Sequence, residues 1–193
     1  MVDGGEAKRS GVMTSAMLKA MSHPLRRRIM RILASRDFAR AADIAAELDV
    51  PANSVSFHLR SLADAGLVVE APEQARDRRD RVWTAVEGGF DLGSPDHPVE
   101  DEALGGTLLA ALAQEHTDML RRVVVWAPEY TAGRSPGVHG TFARTMIRLS
   151  EPEFVDLMER IGAVIDQARE AHDATVAEAR VWELDIVAAD DVI

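Results

Sequence analysis

The run from Asp43 to Val69, DIAAELDVPANSVSFHLRSLADAGLVV, constrains the fold more than any other part of the chain. Ala42, Ile44, Ala45 and Leu48 make the apolar side of a short helix, and their small size permits a close helix crossing. Asp49-Val50-Pro51 reads as a tight turn. Beyond it, Val55, Leu59 and Leu62 fall at i, i+4 and i+7, a single inward stripe on a second helix from about Ala52 to Ala65. Gly66 is the usual residue for a left-handed helix cap, and Leu67-Val68-Val69 has strand composition. The order is helix, turn, helix, strand.

About 100° of rotation per residue puts Asn53, Phe57, Arg60 and Ser61 opposite the Val55 stripe. A helix that only packs a core has little use for an amide, an aromatic ring, a guanidinium and a hydroxyl on its outer face, whereas a helix that reads a major groove needs such a set. The strand candidates Leu67–Val69 and Arg81–Thr84 bracket a polar segment, Glu73 to Asp80, which reads as a hairpin tip or wing. Arg76, Arg78, Arg79 and Arg81 could follow a phosphate backbone or enter a minor groove. Asp77 and Asp80 dilute that field, so a plain solvated loop stays open as an alternative.

Upstream, a helix from about Thr14 to Met21 turns Met17, Leu18 and Met21 inward and breaks at Ser22-His23-Pro24. Pro24 suits the first turn of the next helix, with Ser22 as its expected cap. Leu25, Ile29, Ile32 and Leu33 form the buried stripe of that helix and leave Arg26, Arg27, Arg28 and Arg31 outside, either as a solvated basic face or as phosphate contacts.

The formal net charge of -10 over 193 residues argues at first against a nucleic-acid partner. Its distribution reverses that reading. Between Lys19 and Arg81 there are 12 Lys/Arg and 9 Asp/Glu, a local +3, so the remainder carries -13. An acidic second half joined to a locally basic reader is compatible with DNA binding through one face. The chain has no cysteine, which excludes disulfides, thiolate metal sites and thiol nucleophiles. The first residues, MVDGGEAKRSG, are polar and lack the apolar core of a signal peptide, and no apolar run approaches a membrane span. A cytoplasmic protein is expected. With no phosphate-binding glycine loop, HExxH or G-x-S-x-G elbow, an enzyme is not expected.

Residues 1–12 read as a tail and 87–98 (EGGFDLGSPDHP) as a linker rich in Gly, Pro and acid. A helix over 99–126 follows, then a loop over 128–138. Residues 141–149 alternate as a strand does, and 180–188 read as a last strand. Between these two strands, Ser150-Glu151-Pro152-Glu153 is a capping box with proline in the first turn, opening a helix whose stripe runs through Phe154, Leu157, Met158, Ile161, Val164 and Ile165. The fold class is therefore α+β, with a winged helix-turn-helix domain over 13–86 and a C-terminal α/β dimerisation or sensing domain over 99–193. Trp126, Phe142, Met146, Met158 and Trp182 either line a pocket there or are ordinary core.

Two segments resemble a known family. MLKAMSHPLRRRI (Met17–Ile29) looks like the "L-x-HP-x-R-x-x-I" opening of ArsR-type winged helix-turn-helix regulators, and VSFHLRSLADAGLV (Val55–Val68) is similar to their recognition helix. The resemblance implies a homodimeric, operator-binding transcriptional regulator in which Ser54, Ser56, His58 and Arg60 meet bases or phosphates. The helical wheel agrees for Arg60 and partly for Ser54, but sets Ser56 and His58 on the flanks of the core stripe. His58 is then either a DNA contact or a ring packed against the domain. Asn53 is either an adenine reader or a helix-start residue bonding its own backbone.

The best-known members sense metals through a Cys pair or through Asp/His/Glu sets. Here no thiol is present, and Glu115, His116 and Asp118 diverge on one helix, so no metal or other cofactor is expected. The expected partners are double-stranded DNA, in an inverted repeat, and a second copy of the chain, with an effector left open and no membrane. Repression is the expected sign. The competing reading is a winged-helix module that binds protein without specific DNA binding.

Overall fold

The computed structural model describes residues 9–36, 38–75, 81–86, 89–173, 176 and 179–192. The chain divides into two compact units, Lys8–Leu112 and a second within Ala113–Ile193. In the first, the order is β1 (Arg9–Val12), α1 (Ser15–Met21), α2 (Pro24–Ala34), β2 (Ala39–Arg40), α3 (Ala41–Leu48), α4 (Ala52–Asp64), β3 (Val68–Glu70), a single 3-10 turn (Pro72–Gln74), β4 (Val82–Ala85) and β5 (Gly89–Asp91). Helix α5 (Glu102–Thr131) begins in this unit, and α6 (Glu151–Glu170) belongs to the second.

The helix-turn-helix forms as its sequence dictates. Asp49 caps α3 in the left-handed region (φ 54, ψ 49), a conformation that Asp tolerates better than most residues. The Val50 amide then donates back to the Ala45 carbonyl at 3.1 Å. Helix α4 starts at Ala52 with Pro51 as its N-cap, and it ends where Gly66 takes φ 76 and the Leu67 amide donates to the Leu62 carbonyl at 3.0 Å. β3 and β4 pair antiparallel, Val69 opposite Thr84 and Glu70 opposite Trp83, and β2 adds to the other edge of β4. This three-stranded sheet is the wing platform.

Leu18 of α1, Ile29 and Leu33 of α2, Ile44 of α3, Val55, Leu59 and Leu62 of α4, and Val68 of β3 close one core. Burying each such side chain contributes roughly 1.5–3 kcal/mol. The first turns of α5 join in: Leu108 is fully buried, and a Cβ on Gly105 would meet Val99 at 3.1 Å, which accounts for a glycine inside a helix.

Several expectations change. Residues 9–12, read as tail, and 89–91, read as linker, pair in parallel as β1 and β5, and the Met13 amide continues the ladder to the Asp91 carbonyl. Nearby, the Glu100 carboxylate accepts from both the amide and the hydroxyl of Ser15 at the start of α1. The cap of α2 is His23 and not Ser22: its Nδ1 accepts the Leu25 amide at 3.1 Å, while the Ser22 hydroxyl donates to Leu18 in the preceding helix. Arg27, expected outside, is buried, its guanidinium donating to the Met21 carbonyl at 2.8 Å, because the last carbonyls of α1 offer the long side chain a polar end point.

In the second unit α5 runs on through Pro128 to Thr131, so the loop expected from 128 starts later. A proline in the last turn forfeits one amide bond there and does not end the helix at once. α6 opens with the expected capping box, Glu153 accepting from the Ser150 amide at 2.7 Å. The strands expected over 141–149 and 180–188 are absent, and among the described residues of this unit no strand occurs. Alternation alone does not make a strand; a ladder partner must take its amides and carbonyls. The tail instead holds α5 by side chains, Arg122 to Glu183 at 3.0 Å and His116 to Asp185 at 3.4 Å. The C-terminal region is thus helical and irregular, and the mixed α+β class rests on the N-terminal sheets. Phe142, Met146 and Trp182 are exposed, so they are not ordinary core.

Candidate nucleic-acid interface

Helix α4 has two chemically distinct faces. Val55, His58, Leu59 and Leu62 are buried, and Asn53, Phe57 and Arg60 are exposed. Ser54, Ser56 and Ser61 lie between, partly buried. The wheel derived from the Val55 stripe therefore holds for Asn53, Phe57 and Arg60, whereas Ser61, expected beside them, is half-buried.

Each predicted contact has a definite place. The Asn53 side-chain oxygen accepts the Ser54 amide at 2.9 Å, which is the local backbone bond of a helix-start residue, and its amide nitrogen remains available as a donor. The Ser56 hydroxyl donates to the Ala52 carbonyl at 2.9 Å, one turn back, and Ser61 does the same to Phe57 at 3.2 Å. Arg60 projects from the middle of the exposed face. Arg81 is exposed at the start of β4 and pairs with Glu70 across the hairpin at 3.4 Å. Arg76, Arg78 and Arg79, named for the wing, lie outside the described residues.

His58 lies apart from the exposed set. It is buried, with only 9% of its surface exposed, on the domain side of the helix, the second of the two placements left open for it. Its ring centroid lies 4.5 Å from that of His23 and 5.3 Å from that of Phe57, the latter edge to face at 77°. Its Nδ1 is buried without a hydrogen-bond partner among the described residues. Burial, then the nearby His23 and Arg26, lower its pKa from 6.5, and burial with Arg26 and Arg27 does the same for His23. Both rings therefore favour the neutral form. The His23-Pro24 dipeptide carries the signal for this pairing: a ring nitrogen at the cap position reaches the amide two residues on, and that fixes the ring over α4.

Elsewhere in this unit several arginines are already engaged. Arg26 donates to the Lys19 carbonyl at 3.0 Å, and Arg36 bonds Glu47 of α3. Arg28 reaches the Leu48 carbonyl at 3.4 Å, beside the turn that launches α4. Asp43 is held well below its ordinary carboxylate range by a two-pronged hydrogen bond from Arg40. Among the described residues no three His, Asp or Glu side chains converge to hold a metal ion, and no helix is long and apolar enough to cross a membrane.

Residues 21–71, about a quarter of the chain, match the family model of a helix-turn-helix domain. No curated protein matches the chain. Among solved structures it is similar to a possible transcriptional regulator for arsenical resistance, with 26% identity over 56% of this chain and 92% of that one and a TM-score of 0.31. It is also similar to the antimony-specific transcriptional repressor AntR, at 21% identity over 56% and 87% with a TM-score of 0.35. A third is the YusO protein from Bacillus subtilis, at 17% identity over 81% and 82% with a TM-score of 0.35.

Proposed function

We propose that this chain, whose residues 21–71 match a helix-turn-helix domain and whose sequence resembles the ArsR type, is a sequence-specific DNA-binding transcriptional regulator. The observation that carries the reading is the division of α4: its core side is fully committed, while Asn53, Phe57 and Arg60 stay exposed on a helix that opens directly from the turn. In this reading α4 enters the major groove. Arg60 and the Asn53 amide meet base edges, Arg with guanine and Asn with adenine, and Ser54 and Ser56 contact the neighbouring backbone. His58 acts from behind, bracing the helix against α2. The wing arginines Arg76, Arg78, Arg79 and Arg81 follow the flanking phosphates.

The regulator acts as a homodimer on an inverted repeat with half-sites about one helical turn apart, and it represses by occupying its operator. The C-terminal unit supports the dimer: α6 has no buried residue among those described, and Phe154, Val155 and Val164 stand exposed along it. Phe154 and Val164 belong to the apolar stripe of α6, whose Leu157, Met158, Ile161 and Ile165 are only half-buried, and such a stripe suits a second copy of the chain. An effector, where there is one, belongs to this unit.

Selection of bound sequences from random duplexes tests the proposal. An enriched palindrome is the expected result. No enrichment, together with a co-purifying protein, would instead establish the protein-binding module. Neutralising Arg78 and Arg79 is expected to flatten the dependence of log K on log salt by about one unit for each phosphate left without its cation, and an unaltered slope retires the wing arginines from the interface.

A further inference from the structure

Phe57 is the largest apolar side chain on the exposed face of α4, with 57% of its surface open. Nothing in the domain core requires it there, since Val55, Leu59 and Leu62 already fill the inward stripe. Its ring is not loose. It meets the His58 ring edge to face with the centroids 5.3 Å apart, and His58 is itself seated against His23 at the start of α2, so the aromatic ring is braced from behind and directed outward. Its neighbours on the same face are polar: Asn53 one turn before, Arg60 and Ser61 one turn after. A docking patch for an apolar protein surface would surround the ring with further apolar groups; this face surrounds it with hydrogen-bonding ones.

Resting on the DNA-binding reading above, we infer that Phe57 is a specificity-determining residue for thymine, its ring packing on the C5 methyl group in the major groove. A phenyl ring neither donates nor accepts a conventional hydrogen bond, so it cannot read the polar edges of guanine, cytosine or adenine. The thymine methyl is the one apolar group that unmodified base pairs present in that groove. Asn53 and Arg60 then read polar edges to either side, and Phe57 supplies the apolar element of the same code.

The test uses the full chain and the duplex recovered by selection, with deoxyuridine replacing thymidine one position at a time in both half-sites. This substitution removes only the methyl group and keeps every hydrogen bond of the pair. With the change made in both half-sites of a dimer site, one position is expected to lose affinity about fifteenfold, about fourfold for each buried methyl-sized group removed. The variant F57A is expected to bind the thymidine and deoxyuridine duplexes equally, while F57L retains most of the discrimination. Both variants change an exposed side chain, and an unchanged Tm establishes that the fold is intact. If no deoxyuridine position weakens binding of a duplex that is otherwise bound tightly, or if F57A keeps the preference, the inference is overturned and the DNA-binding reading stands. If no duplex is selected at all, both fall together.

Discussion

The two units of this chain solve the same packing problem to different extents. In Lys8–Leu112, the stripes of α1 to α4 meet one another and the sheet, and among the described residues ten large side chains, Leu108 of the first turns of α5 among them, are essentially sealed from water. In Ala113–Ile193, α6 has an equally regular stripe and a complete capping box but no buried residue among those described, and the tail exposes Val181, Leu184 and Val187. The difference teaches that a helical pattern specifies a face and not what covers it. A closed unit can present a sharply directed outer surface such as that of α4. An open one still has apolar surface to bury.

The largest expected effect separates these cases directly. Leu59→Ala removes a fully buried side chain from the centre of the first unit and is expected to cost about 2–5 kcal/mol in denaturant unfolding. Val164→Ala on α6 is expected to change the stability of dilute protein by less than about 0.5 kcal/mol. A loss at Val164 that grows with protein concentration locates it in a self-association surface. A core-sized loss at all concentrations would break the comparison, because it would mean that α6 is already covered.

One position along α4, the same contrast appears between stability and function. Arg60→Ala is expected to weaken operator binding by about 1–3 kcal/mol in fluorescence anisotropy, with the unfolding midpoint of the protein unchanged. Unchanged affinity removes Arg60 from the reading face. A shifted midpoint would mean that the exposed and buried sides of α4 are less separate than their geometry implies.

The first unit is largely legible in sequence because its signals are local and mutually consistent. Pro51 and Gly66 bound α4 on their own terms, and Val55, Leu59 and Leu62 leave only one way to face it. Likewise Ser150 and Glu153 bond each other within four residues, so the start of α6 can be read without any tertiary knowledge. What is not legible depends on distant partners. The alternation over 141–149 promises a strand, but among the described residues no second strand lies beside it to complete a ladder. Arg27 looks like surface because its acceptor, the Met21 carbonyl, lies across a helix junction. His58 is ambiguous for the same reason: the ring of His23 that helps to bury it belongs to another element, 35 positions earlier. β1 and β5 pair across 80 residues, a separation that no periodicity signals.

A smaller effect tests whether a well-capped but open helix depends on its cap more than on its packing. Ser150 and Glu153 satisfy each other at the start of α6, whereas α4 begins at Pro51 with no side-chain cap and relies on its core. Ser150→Ala is expected to destabilise α6 by about 1 kcal/mol, read as faster amide hydrogen exchange confined to residues 151–158. Exchange unchanged there, or accelerated equally in α4, would show that the cap is not what holds this helix.

The last test uses acid to probe the closed unit alone. In the folded chain His23 and His58 titrate below their ordinary 6.5: burial and then the nearby His23 and Arg26 disfavour the charged His58 ring, and partial loss of hydration with Arg26 and Arg27 does so for the more exposed His23. As pH falls past 6.5 the unfolded chain therefore takes up protons before the folded chain does, and the folded state loses stability from there down through the folded pKa values. The carboxylates move the other way in charge but lose stability in a separate, lower window. Asp43, Glu100 and Glu153 are held below their ordinary 3.8 to 4.5 by hydrogen bonds, so their contribution is complete above that range and disappears beneath it. Between pH 7.5 and 5.5, then, the two histidines leave the stronger mark. The urea midpoint is expected to fall across that interval, and His58→Leu, which keeps an apolar side chain at a buried site, is expected to reduce the fall. A His58→Leu protein with the full pH dependence of the parent would mean that the ring is already solvated in the folded chain, and the α4 brace proposed behind Phe57 would go with it.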